Sequence, residues 1–266
     1  MQQLVATIVD RRSFGGLSYL VLQSPELARA ARAGHYLLLR CAPLGASDPL
    51  LLRALFVAGA DPQAGLVRLL FAPDERGLAW LAAQLPGMAV ELSGPLGIPF
   101  SLERGTRHLL LIGAGPALPS LLMLAHEALR REIAVVLLLA AEQDELLPPP
   151  FLLPAEVEYQ RLDELQLANS QLPIVGQQAR STTHNLQSAL AWADQLAAAV
   201  PLDQLPPLVE AVRRAKLRWE RGFAQVALGG PMPCVTGACL SCLVETRAGL
   251  RLRCKDGPVF DLRELR

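Results

Sequence analysis

Four of the five cysteines lie near the carboxyl end, at a spacing that can bind metal. Cys234, Cys239 and Cys242 share one short loop, and Cys254 follows after eleven intervening residues. Three thiolates on one loop and a fourth from a later segment form the plant-type ligand pattern of a 2Fe–2S cluster. Soft thiolates suit iron–sulfur clusters, and Gly237 can adopt the positive φ that lets the loop curl around one. The spacing therefore predicts a 2Fe–2S cluster.

Other uses of these thiols remain open at this point. Zinc also accepts four cysteines, although zinc ribbons usually offer two separate pairs of ligands, and reactive thiols are a further alternative. The fifth cysteine, Cys41, lies far away within a strand pattern and is predicted to be a small buried hydrophobe. The four histidines show no metal-binding spacing and are predicted to be structural.

Composition narrows the class of protein. The 266 residues carry 25 Lys+Arg and 25 Asp+Glu, and 52% are hydrophobic, which favours a globular chain of about two domains. No basic stripe indicates nucleic-acid binding, and no apolar run approaches the roughly 20 residues of a membrane helix. The amino terminus lacks a signal-peptide pattern, and the cysteines are few and odd in number. These features predict a cytoplasmic protein.

The first hundred residues have the pattern of an all-β domain. Short strands separated by regular turn residues predict a small barrel, with 4–10 and 17–22 pairing across a glycine turn. The stretch 93–99 is predicted to break the strand pattern. The strands are predicted over 4–10, 17–22, 36–40, 52–57, 66–72 and 88–92, with a helix over 75–85.

The pattern changes near residue 103. An apolar run at 108–112 ends in a glycine turn and is followed by an amphipathic helix and a second apolar run at 133–139. This order predicts a βαβ unit with a buried parallel sheet. Gly113 and Gly115 could bring backbone amides to a nucleotide pyrophosphate, although packing alone would also explain the two glycines. Further helices are predicted at 184–199 and 207–221, and strands at 172–175 and 223–228.

The predicted cluster points to a second redox group. A 2Fe–2S cluster usually passes single electrons, and flavin is the usual group that converts them to electron pairs. Arg53, on a predicted barrel strand, could bind a flavin pyrophosphate through bidentate hydrogen bonds. An exposed or salt-bridged surface arginine is the alternative interpretation.

The order of parts, the cysteine loop 234–242 and the tail 254–260 together resemble one family. This family comprises the electron-transfer subunits of dihydroorotate dehydrogenase type B, within the ferredoxin–NADP reductase superfamily. The resemblance implies a flavin-type β-barrel at 1–102, a Rossmann-like and degenerate NAD-binding domain at 103–221, and a small 2Fe–2S domain at 222–266. It further implies FAD in the barrel and NAD(H) at the second domain. The implied partner is the FMN-containing catalytic subunit of pyrimidine biosynthesis, in a heterotetramer.

The resemblance also places the flavin against particular residues. Where the family has Arg-Pro-x-Ser and Gly-Thr, this sequence keeps the arginine and the glycine but lacks the proline and both hydroxyls. The family's longer glycine run at the nucleotide turn and its Cys-Gly-Pro motif are also absent. The implied flavin residues are Arg53, Ala54, Leu55 and Phe56, then Leu70, Phe71 and Ala72, then Gly77 and Leu78; the implied nucleotide residues are Gly113 and Gly115.

Two functional hypotheses follow. The first is an oxidoreductase subunit that passes electrons between NAD(H), FAD, the cluster and a partner flavoenzyme, with no catalytic acid or base of its own. The second is a structural or relay subunit that bears the cluster and has lost NAD and possibly FAD binding. A reductase subunit that serves another acceptor is a further alternative.

Overall fold

The computed structural model describes residues 3–43, 45–46, 48–140, 144–162 and 182–266. Within them, the amino-terminal part forms a closed antiparallel barrel of six strands, as predicted. Each strand contributes one aliphatic side chain to the barrel interior, and each of these side chains is at most 2% exposed to solvent: Ile8, Leu20, Leu37, Val57, Leu69 and Leu92. The strands are β1 Gln3–Phe14, β2 Leu17–Gln23, β3 Tyr36–Leu39, β4 Arg53–Asp61, β5 Leu66–Phe71 and β6 Ala89–Leu96.

Two short helices cross between the strands of the barrel. Helix α2, Arg76–Ala82, confirms the helix predicted over 75–85, whereas α1, Pro25–Ala30, was not predicted. Six residues are too few to show a helical period, so α1 leaves little signal in the sequence. The predicted break at 93–99 is wrong in part, because β6 continues to Leu96 with irregular pairing to β3.

The second part contains a six-stranded sheet with helices on both faces. Alternate residues of its central strand enter different cores: Leu109 and Leu111 join the core shared with the barrel, whereas Leu110 and Ile112 join the opposite core. Burial on both faces explains the continuous apolar run. The elements are β7 His108–Gly113, α3 Pro119–Leu129, β8 Ala134–Ala140, β9 Glu158–Leu162, α4 Thr182–Trp192, β10 Gln195–Ala199, α5 Leu205–Ala215, β11 Ala224–Ala227 and β14 Val259–Asp261.

The prediction of one helix over 184–199 is wrong in its second half. Helix α4 ends at Trp192, and β10 lies between β7 and β11 in the centre of the sheet. Alanine favours helices, but burial against two parallel neighbours overrides that preference in β10. The helix predicted over 207–221 is the shorter α5, and the strand predicted over 172–175 lies outside the described residues.

The carboxyl-terminal segment shares this second sheet. Strand β11, predicted over 223–228, pairs in parallel with β10, and β14 adds to its free edge in the antiparallel direction. The hydrogen bonds of one sheet therefore join both sides of the boundary predicted at residue 222. The remaining elements are a hairpin of β12 Leu243–Thr246 and β13 Gly249–Leu252, followed by α6 Arg253–Asp256. Among the described residues, none of the helices combines the length and the apolar character of a membrane span.

The backbone just after β6 contacts the backbone between α6 and β14 closely. The amide of Ile98 donates to Gly257 O at 2.6 Å, and Gly97 has φ +89°. A Cβ on Gly97 would overlap Pro258 Cδ and lie 3.0 Å from Gly257 O.

We expect Gly97→Ala to lower the free energy of unfolding by about 1–3 kcal/mol, because both strain and overlap oppose the methyl group. Gly105→Ala is the matched control, since Gly105 has φ +94° but a Cβ placed on it would have no described atom within 4 Å. Urea denaturation of both variants separates the two effects. Equal losses of stability would show that contact with the tail contributes nothing.

Candidate cluster and flavin sites

The cysteine loop connects β11 to β12 and is tightly curved. Val235, Gly237 and Leu240 all have positive φ, at 56°, 82° and 57°. Only the glycine was expected in this conformation, and a β-branched residue such as valine rarely adopts it. Such strain persists only where the surrounding structure imposes it, and it often marks functional sites. The hairpin β12–β13 brings α6 back to the loop, where the amide of Arg253 donates to Cys242 O at 3.0 Å.

The thiols form two hydrogen-bonded pairs, and Cys234 also interacts electrostatically with Cys254. Hydrogen bonds from the backbone and side chain of Cys239 lower the pKa of Cys234 to about 6. Burial, followed by a hydrogen bond with Cys242, raises the pKa of Cys254 to about 12. Cys242 and Cys254 are buried, whereas Cys239 is exposed and Cys234 is half-buried.

Two pairs of thiols fit a cluster of two irons, because each iron takes two protein ligands. Among the described residues, no three His, Cys, Asp or Glu side chains are grouped so as to hold one metal ion. The fifth cysteine, Cys41, is buried in the barrel, and its Sγ lies 3.9 Å from Leu39 O. Cys234, Cys239, Cys242 and Cys254 therefore stay the predicted donor set for the cluster.

A buried arginine lies beside the second pair of thiols. Arg253 is only 4% exposed; its Nε donates to Cys242 O at 3.3 Å, and its Nη1 donates to Gly229 O. Its positive charge interacts electrostatically with Cys242 and Cys254. In the sequence, Arg253 stands among several other basic residues near the carboxyl end. Its position directly before Cys254 is the only signal that could have singled it out.

A tyrosine joins the cluster region to the barrel. Tyr36 is completely buried, and its hydroxyl donates to Cys254 O at 3.3 Å. Its ring lies 6.2 Å, centroid to centroid, from that of Phe56 on β4. Burial, with a smaller effect from the cluster thiols, raises the pKa of Tyr36 above its ordinary value. An aromatic residue in a buried strand resembles any core residue, so no pattern in the sequence singles out Tyr36.

The predicted flavin residues gather at one end of the barrel. The start of β4 lies beside the end of β5 in the antiparallel register, and the Gly77 backbone of α2 lies against the Arg53 side chain. Much of this surface is closed, because more than half of the predicted residues are buried. Those buried are Leu55, Phe56, Leu70, Phe71 and Gly77; those half-buried are Arg53, Ala54, Ala72 and Leu78.

Arg53 already binds an anion from its own chain. Its Nε and Nη2 donate to Glu75 Oε1 and Oε2 at 3.0 and 2.6 Å, and its Nη1 donates to Leu51 O. Glu75 also accepts from the amides of Gly77 and Leu78, at 3.0 and 2.6 Å, as the N-cap of α2. The hydrogen bond with Arg53 is the largest of the effects that lower the pKa of Glu75 to about 2. The edge of Arg53 formed by Nε and Nη2 is therefore already taken by a carboxylate.

The glycine turn after β7 is built mainly for packing. A Cβ on Gly113 would lie 2.5 Å from Leu139 Cδ2, so this glycine allows the close contact of β7 with its neighbours. The Ala114 amide donates to Ala199 O, and the Leu118 amide donates to Gly115 O. Pro116 and Pro119 have no N–H to offer. The turn consequently presents few of the free amides that a pyrophosphate would need.

Comparisons with known proteins agree with the resemblance. Residues 231–266 match a family model described as the iron–sulfur cluster binding domain of dihydroorotate dehydrogenase B. An electron transfer subunit of dihydroorotate dehydrogenase B (NAD(+)) from Shouchella clausii is 29% identical, over 97% of this chain and 96% of the relative. Its counterpart from Geobacillus thermodenitrificans is 28% identical, over 96% and 95%.

Solved structures confirm the fold. The chain matches a structure described as an NADH-dependent reduced ferredoxin–NADP oxidoreductase with a TM-score of 0.75 and 21% identity, over 99% of this chain and 90% of that one. A ferredoxin reductase of carbazole 1,9a-dioxygenase matches with a TM-score of 0.61 and 21% identity, over 85% and 68%. Over nearly its whole length, the chain is thus similar to the electron-transfer subunits of dihydroorotate dehydrogenase B, on a fold of the ferredoxin–NADP reductase type.

Proposed function

We propose that this chain is an electron-transfer subunit that holds a 2Fe–2S cluster and serves a catalytic partner, dihydroorotate dehydrogenase. The observation that carries the proposal is a strained loop with three thiols, to which α6 brings the fourth thiol, that of Cys254. The match of residues 231–266 and the names of the full-length relatives support the same function. The chain supplies no acid or base of its own in this proposal.

The four cysteines would bind the two irons of the cluster in pairs. Cys234 and Cys239 would bind one iron, and Cys242 and Cys254 the other, to supply one-electron transfer when the cluster is bound. The buried pair faces the barrel and the sheet, whereas Cys239 and the neighbouring Leu240 are exposed. A partner can therefore approach the cluster from the Cys239 side.

The finer parts of the proposal rest on the family. The resemblance to the family implies FAD in the barrel and NAD(H) at the α/β domain. It also implies an FMN-containing partner in a heterotetramer, and a role in pyrimidine biosynthesis in the cytoplasm. The flavin residues would be those predicted around Arg53 and Gly77, and the nucleotide residues those around Gly113 and Gly115. Support for them comes from the fold and the relatives' names.

The second candidate function is a relay subunit that bears the cluster and has lost NAD(H) binding alone, or NAD(H) and FAD binding together. Two observations favour it: Arg53 is paired with Glu75, and the turn after β7 has few free amides. A third candidate is a reductase subunit that serves an acceptor other than dihydroorotate dehydrogenase.

Anaerobic purification of the full chain with its partner tests these candidates. The proposal predicts roughly two irons and two sulfides per chain, and co-purification of dihydroorotate dehydrogenase. FAD released on denaturation supports the first candidate, whereas cluster absorbance without flavin supports the relay subunit. Zinc without iron would overturn both, and a stable complex with a different acceptor would favour the third.

A further inference from the structure

We propose that Glu75 occupies the anion site that a flavin pyrophosphate would take, so that FAD binds only when Glu75 releases Arg53. The inference rests on the proposed flavin role of the barrel and adds a residue that controls it. Glu75 belongs neither to the predicted flavin stretches nor to the cluster. It is therefore a residue that limits cofactor binding through its contact with Arg53.

The geometry is that of a bound anion. Both carboxylate oxygens of Glu75 accept from the guanidinium of Arg53, at 3.0 and 2.6 Å, and each also accepts a backbone amide. Carboxylate and phosphate are recognised by the same bidentate arginine hydrogen bonds. The guanidinium edge formed by Nε and Nη2, which would hold a flavin phosphate in a bidentate contact, is thus already occupied within the chain.

There is no room for a second anion between the same groups. The guanidinium lies directly against the backbone of α2, since a Cβ on Gly77 would be 2.7 Å from Arg53 Cζ and Nε. The next residue, Arg76, is itself paired with Asp48 at 2.6 Å. A phosphate beside an ionised Glu75 would also meet repulsion between like charges. Glu75 and a flavin pyrophosphate therefore exclude one another at Arg53.

Protonation does not release the pair near neutral pH. Because the pKa of Glu75 lies at about 2, the carboxylate stays ionised far below the pH of any cell. Release must come from a competing anion or from a partner that draws Glu75 away.

Titration of FAD into the flavin-free full chain tests the inference. Glu75→Gln keeps the length and an oxygen that can cap α2, but loses the charge that binds Arg53. We expect the dissociation constant of this variant for FAD to fall roughly tenfold or more, because a hydrogen bond to a charged group contributes enough free energy for a change of that size. Glu91→Gln is the matched control, because Glu91 pairs with Arg40 on the same barrel at 3.7 Å, and its affinity should stay unchanged.

Two further measurements separate the possible outcomes. Adding Arg53→Met to Glu75→Gln should abolish the gain, and riboflavin, which has no phosphate, should bind wild type and Glu75→Gln equally. Equal FAD affinity of wild type and Glu75→Gln would overturn the inference while leaving the flavin role intact. FAD binding by none of the proteins, with cluster and fold preserved, would overturn both the inference and the flavin part of the proposed function.

Discussion

We expect the Cys239→Ser variant to be purified without an assembled 2Fe–2S cluster. A serine hydroxyl is a harder and less acidic ligand than a thiol, so Cys234 would lose its partner on the same iron. The side chain is exposed, so the substitution itself removes little packing. The cysteine loop and the hairpin β12–β13 should nevertheless lose stability, because binding of the metal contributes free energy of folding to the segment that holds it.

Iron and sulfide analysis, with the visible absorption spectrum, measures the loss of the cluster. Hydrogen exchange should show faster exchange in β12 and β13 and an unchanged barrel. Cys41→Ala is the control, because Cys41 is buried in the barrel and takes no part in the loop. Full iron and sulfide in Cys239→Ser would show that the ligand assignment is wrong.

The second large effect is expected at Arg253. Replacing Arg253 by glutamine removes a positive charge that is buried beside Cys242 and Cys254. Reduction adds negative charge to a cluster, and net charge and hydrogen bonding near its sulfurs set its potential. We therefore expect a lower midpoint potential, together with a loss of about 1–3 kcal/mol of stability from acceptors left unpaired.

A redox titration followed by electron paramagnetic resonance measures this shift. Arg251→Gln is the matched control, because it removes the same charge two residues before Arg253. The Arg251 side chain is 52% exposed and pairs with Asp256. Arg253→Lys should restore most of the potential, because it keeps the charge. An unchanged potential in Arg253→Gln, with the cluster intact, would show that the buried charge does not act on it.

Local patterns explain why much of the fold could be predicted. Alternating strands with turn residues define the barrel, and apolar runs around a glycine turn define β7, α3 and β8. The proposed ligand set rests on the spacing of the cysteines. Strand β10 was mistaken for helix because its run of alanines has no period that distinguishes buried strand from buried helix.

The residues that the sequence did not reveal act through distant contacts. Glu75 meets an arginine 22 positions away, and Tyr36 meets a carbonyl 218 positions away. In the sequence, Arg253 resembles the other basic residues near it. In the structure, the hairpin places its side chain in a buried position beside the cysteine loop. No spacing rule covers such contacts, because the fold creates them. An acidic residue at an N-cap was a faint signal for Glu75, but it did not indicate Arg53 as the partner.

The pairing of β11 with β14 limits how the protein can work. The redox loop leaves the sheet at Ala227 and the chain returns to the adjacent edge position at Val259, where the two residues are directly paired. A swinging arm, which some electron carriers use to visit successive donors and acceptors, would require this ladder to open. We therefore expect both ends of the cysteine segment to keep their places in the sheet, so that a partner must come to this face of the molecule to exchange electrons.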